Sequence, residues 1–194
     1  MWPWEHIAAG YLLYSLGLRA LGRPPPSDGA VVALAVASLV PDLVDKPLSW
    51  GLGWFPSGYA IGHSAFVAIP VGLGVLLFGS RLDRLWVSVA FVVGYWTHLL
   101  GDVLNPIRYG NSILVGRVLW PVSAAEPYEI DRGLGRGLAY LEDFVAELVT
   151  MPITDVVLLY LLLPAATIAL WIFDGAPGVT LLSRAVGTVR SRLR

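Results

Sequence analysis

The twenty residues Leu85-Trp86-Val87-Ser88-Val89-Ala90-Phe91-Val92-Val93-Gly94-Tyr95-Trp96-Thr97-His98-Leu99-Leu100-Gly101-Asp102-Val103-Leu104 decide how this chain is read. They contain no Lys, Arg, Glu or Pro, so nothing interrupts a helix. A bilayer core of about 30 Å takes roughly 20 residues at about 1.5 Å each. The stretch is therefore a membrane crossing, and its last turns carry His98 and Asp102. Four residues apart, these two share one helix face. Ionisable groups at that depth are costly unless they are paired or functional.

Outward from this crossing, four more apolar runs stand out: His6–Leu21, Gly29–Leu43, Ala60–Gly79 and Ile153–Phe173. The third and the last are long enough to span. The first two are short, and the second reads as a crossing or as a partly buried hairpin arm, since short segments are tolerated where protein covers them. The expected fold is all-α, an integral membrane helical bundle with about five transmembrane or membrane-embedded helices. Residues 1–174 form its single helical membrane domain, and 175–194 form a basic tail. Residues 105–152 make a long extramembrane loop, in which Tyr140 to Val149 has a helical pattern with Glu142, Asp143 and Glu147 on wetter positions. The N-terminus lacks a basic leader region and Glu5 precedes the apolar run, so the first segment is expected to be retained.

Composition agrees with this reading. The chain is 56% hydrophobic and 14% charged, against about 45–50% and about 25% in soluble domains, with a mean hydropathy of +0.69. That excludes a disordered chain and most soluble enzymes, and a net charge of -1 gives no basis for a nucleic-acid partner. Arg19, Arg23, Arg81, Arg84, Arg184, Arg190, Arg192 and Arg194 fall on one side of a five-crossing chain. The positive-inside rule makes that side cytoplasmic, with the N-terminus outside and the protein multi-pass in the cell membrane.

The chain has no cysteine and three histidines. This topology brings all three to one end. His6 opens the first segment, Asp42 and Asp45 close the second, His63 opens the third, and His98 and Asp102 close the fourth. Imidazole and carboxylate without thiolate is the donor chemistry of zinc, manganese or iron, and it suits an open site better than a closed structural zinc. His6, Asp42, His63, His98 and Asp102 are the expected metal ligands. Asp45 is a further ligand or general base, and Arg108, six residues past Asp102, is placed to hold an anion. A site at headgroup depth points to membrane lipid as partner and to a lipid or phosphoester as substrate. The competing reading is a non-enzymatic membrane protein whose His/Asp cluster is structural or binds lipid.

At these residues the chain resembles the membrane-bound metal-dependent hydrolase family of bacteria and archaea, the YdjM-like group. The resemblance rests on Trp4-Glu5-His6 with Gly10, Leu39-Val40-Pro41-Asp42, Gly62-His63-Ser64, and Gly94 to Asp102 with Asn105-Pro106 and Trp120-Pro121. It implies a helical membrane enzyme with a metal centre, distantly similar to zinc-dependent phospholipase C and nuclease-type phosphodiesterases. Val44 and Asp45 stand where the family pattern has Asp and His, and Gly58 and Tyr59 where it has His and Arg. The implied ligand set is thinned to one or two metals, with Asp45, Glu5, Glu126 or Glu129 as replacements.

Overall fold

The computed structural model describes residues 1–181, and no strand occurs among them. The helices are α1 (Pro3–Ala20), α2 (Asp28–Ala37), α3 (Val40–Lys46), α4 (Ala65–Arg81), α5 (Leu85–Leu104), α6 (Arg136–Thr150) and α7 (Ile153–Phe173). The part of the expected basic tail beyond residue 181, with Arg184, Arg190, Arg192 and Arg194, lies outside the described residues.

Among the described residues two helices are long and apolar enough to cross a membrane: Leu85–Tyr109, which runs on from α5, and Ile153–Phe173. The other three expected crossings are altered. The run Gly29–Leu43 is two helices, broken at Ser38 and Leu39; Pro41 has no N–H to continue the α2 ladder. The run Ala60–Gly79 starts its helix only at Ala65, because residues 60–64 turn to present their backbone amides to Asp45. The first run is helical to Ala20, but its inner side carries buried His6, Tyr11, Tyr14 and Ser15, with buried Glu5 just before the run.

Helix α5 is the central element, packed by α1, α2 and α4. Small residues allow the approach. A Cβ on Gly94 would lie 2.5 Å from the Leu34 carbonyl oxygen, so α2 and α5 cross in backbone contact. One apolar cluster, Tyr11, Tyr14, Leu18, Ala30, Leu34 and Ala90, fills one end of the bundle. A second, Ala37, Ala68, Tyr95 and Leu99, lies beside the other end.

Polarity runs opposite to that of a water-soluble domain. Glu5, His6, Ser15, Ser38, Asp45, His63, Ser64 and His98 are buried, whereas Phe66, Ile69, Leu73, Leu77 and Phe78 of α4 and most large residues of α7 are exposed. Burying one such side chain is worth about 1.5–3 kcal/mol, and here the hydrocarbon of a bilayer supplies the environment that the protein does not.

At the end of the bundle away from the histidines, Asp174 ties α7 to α1. Its carboxylate accepts from Tyr11 Oη at 2.6 Å and Ser15 Oγ at 2.6 Å, and pairs with Arg19 Nη2 at 2.5 Å. Burial alone would raise this carboxyl, but Arg19, Ser15 and Tyr11 together hold it below the ordinary carboxylate range. The clamp fixes which ends of α1 and α7 meet.

Candidate metal centre

The opposite end of the bundle gathers side chains from four separate stretches of sequence. Atoms of Asp42, His63, His98 and Asp102, all buried, lie within 4.8 Å of one another. Nε2 of His63 and Nε2 of His98 are 3.1 Å apart. Oδ2 of Asp102 is 3.3 Å from the first and 3.5 Å from the second. Oδ1 of Asp42 is 3.6 Å and 3.9 Å from the same two nitrogens.

The outer nitrogens explain this orientation. His98 Nδ1 lies 2.7 Å from the Ser38 carbonyl oxygen. A carbonyl only accepts, so Nδ1 carries the proton and Nε2 of the neutral ring is left as a lone pair. His63 Nδ1 lies 2.8 Å from Asp45 Oδ2, with the same consequence. In the neutral rings, two imidazole lone pairs thus face each other between two carboxylates. Two nitrogens each about 2.0–2.1 Å from a single ion can be at most about 4.2 Å apart, and 3.1 Å satisfies that limit. Donor chemistry, burial and spacing all fit a divalent cation.

Asp45 occupies a different place from the one expected of a ligand or general base. Its oxygens accept from the backbone N–H groups of Ala60, Gly62 and His63 at 2.7, 2.8 and 3.0 Å, in addition to the His63 ring. With both oxygens so occupied behind His63, the side chain orients that ring and has no free face toward the centre. A carboxylate on the far nitrogen of a metal-facing histidine fixes its tautomer and raises its basicity.

His6 packs beside the group of four. Its ring stacks on His98 with centroids 3.8 Å apart, and Nε2 is 3.4 Å from Asp102 Oδ1. Among the described residues neither ring nitrogen has a hydrogen-bond partner, although the residue is 1% exposed. The Met1 amine also reaches Asp102 Oδ1, at 3.1 Å. Gly101 makes room for this ring, since a Cβ there would meet His6 Nδ1 at 3.2 Å.

Of the other candidates, Arg108 is paired with buried Glu5 at 2.6 Å and lies over the Tyr160 ring. Glu5 also accepts from the Trp2 N–H at 2.8 Å, which occupies it away from the centre. Glu126 and Glu129 are exposed. Three contributors were not read from the sequence. Lys46 holds Asp42 Oδ2 at 2.5 Å, and its i,i+4 spacing was a usable signal. The Ser38 carbonyl carried no signal, because it depends on where the α2–α3 break falls. Tyr128 fills the space beside Gly58, accepting from the Gly58 N–H at 2.9 Å where a Cβ would collide with its hydroxyl.

Asp42 and Asp102 line a cavity of about 520 Å³. Lys46 and Arg108 contribute cations to its wall, Trp50, Tyr59 and Tyr109 aromatic faces, and α6 the remaining side.

The chain matches the family model described as YdjM inner membrane protein over residues 1–180. No curated protein matches it, and no solved structure does. With nearly its whole length covered, and with a buried His/Asp group and two membrane-length helices, the chain belongs to the YdjM inner membrane protein family.

Proposed function

We propose that this protein is a membrane-embedded metal-dependent hydrolase in which His63, His98, Asp42 and Asp102 hold a divalent cation. The observation that carries this reading is the convergence of two Nε2 atoms, each ring oriented through a bonded Nδ1, between two buried carboxylates. With both rings neutral, the two Nε2 atoms are acceptors set against each other, a pairing that a cation between them satisfies. His6 joins it through Asp102. The nitrogen and oxygen set favours zinc, with manganese or iron as alternatives. When bound, such an ion supplies Lewis acidity and brings the pKa of water from 15.7 toward about 7.

The chain's own groups do the rest. Ser38 and Asp45 hold the ring protons at Nδ1 of His98 and His63. Lys46 fixes Asp42. Lys46 and Arg108, at the cavity wall, balance the charge of an anionic phosphoester or lipid-like substrate. Asp45 acts as a positioning residue.

The test is elemental analysis of protein purified gently in detergent. We expect about one transition metal per chain, removed by a chelator and restored by zinc, with hydrolysis of a chromogenic phosphoester following the metal. A metal-free preparation that cannot be reloaded would leave the cluster a structural or lipid-binding one.

Residues 1–174 are read as one helical membrane domain with about five membrane-embedded segments, α1, α2–α3 and α4 joining the two long helices. Arg19, Arg23 and Arg84 lie at the Asp174 end, with Arg23 over Trp86 and Arg19 on Asp174; by the positive-inside rule this supports an orientation with the metal-site end outside. Reporter fusions at Pro25 and Ser80 should report cytoplasm, and one near Ser123 the exterior. The opposite pattern turns the site inward.

A further inference from the structure

Helix α6 is amphipathic in the wrong sense for water. Gly137, Tyr140, Asp143, Phe144 and Glu147 face the cavity, and Phe144 packs on Trp2 and Tyr160 with centroids 4.5 and 5.3 Å apart. The opposite face carries Leu138, Leu141, Val145 and Val149, spaced at helical intervals and 61%, 45%, 51% and 79% exposed. Leu134 before the helix and Ile153 after it are exposed as well. In water this stripe would turn inward.

Chain continuity says what covers it. Only Met151 and Pro152 separate α6 from Ile153–Phe173, a membrane-length helix whose apolar surface is almost entirely unburied within the protein. The end of α6 therefore sits where that helix enters the bilayer. Met151 is extended and Pro152 opens the next helix, so the chain changes direction there. A helix at that depth with a polar face and an apolar face lies along the interface. Glu142 borders the stripe, a position tolerable at headgroup level and costly deeper in hydrocarbon.

We propose that α6 lies in the membrane–water interface with Leu138, Leu141, Val145 and Val149 in the lipid, as the outer wall of the cavity. This rests on Ile153–Phe173 crossing the bilayer and is independent of the metal. It sets the cavity mouth at headgroup depth, with α6 as the wall between it and the leaflet.

The chain has no cysteine, so single nitroxide labels report from one place. Val145→Cys and Val149→Cys probe the stripe, Asp143→Cys the cavity face, and Ile168→Cys, exposed on α7, serves as the lipid reference. The full chain is reconstituted in phosphatidylethanolamine–phosphatidylglycerol vesicles. Relaxation is then measured with oxygen, which enters lipid, and with a nickel chelate, which stays in water. Both stripe labels should favour oxygen several-fold over nickel, approaching Ile168→Cys, and Asp143→Cys should show the reverse. Stripe labels open to nickel would overturn the proposal. So would labels shielded from both reagents, which would mean a protein partner or a second copy covers the face. Neither outcome bears on metal binding.

Discussion

Asp102→Asn is expected to cost the protein its metal, with occupancy falling below about one-tenth of wild type and hydrolysis to background. Asp102 approaches the three histidines through Nε2, at 3.4, 3.3 and 3.5 Å, and among the described residues no other side chain is paired with all of them. Asparagine keeps the volume but removes the charge, and it turns an N–H₂ toward nitrogen lone pairs or the Met1 amine. Asp45→Asn supplies the contrast. It too is a buried carboxylate bonded to His63, but it works through the ring rather than at the centre. Losing such a support weakens metal binding by about 10–100-fold, so that variant should still fill at high metal. Helical content and size-exclusion behaviour identify any variant that merely unfolds. Full occupancy in a folded Asp102→Asn protein would remove Asp102 from the site and, with it, the proposed function.

That contrast separates what residue spacing dictates from what the fold adds. The convergence of His6, Asp42, His63, His98 and Asp102 followed from counting crossings, because each lies at the same end of its apolar run. The i,i+4 spacing of His98 and Asp102 put them on one face of α5 directly. What spacing could not show was on which side of His63 Asp45 would fall. That depends on residues 60–64 curling back over α3, an arrangement held by three backbone N–H groups that carry no side-chain signature. The same holds for α6. Its periodicity and its acidic positions were legible, but periodicity assigns an apolar face without saying whether protein or lipid covers it. The short second run was legible as an irregularity, and the break at Ser38 and Leu39 proved to supply the carbonyl that orients His98.

Gly94→Ala should therefore damage both the fold and the site, although it lies a full turn from any ligand. In an exposed helix, alanine for glycine is favourable by about 0.5–1 kcal/mol. At Gly94 the added Cβ would stand 2.5 Å from the Leu34 carbonyl oxygen, 3.0 Å from Ser38 Oγ and 3.2 Å from the Leu34 carbonyl carbon. Two of these are backbone atoms of α2, so no side-chain rotation can relieve them; α2 must move away from α5. Forcing a close-packed contact apart costs about 1–3 kcal/mol, more than the helix gain. The same movement carries Ser38, whose Oγ donates to the Gly94 carbonyl and whose own carbonyl accepts from His98 Nδ1. Losing that acceptor frees the His98 ring, and the two Nε2 atoms no longer converge. Thermal unfolding in detergent should fall by several degrees, and the folded fraction should bind metal more weakly than wild type. Gly74→Ala is the matched control, because its Cβ would meet nothing within 4 Å. It should leave both measurements at or above wild type. If the two variants behave alike, the α2–α5 crossing does not position His98, and the orientation of that ring must have another source.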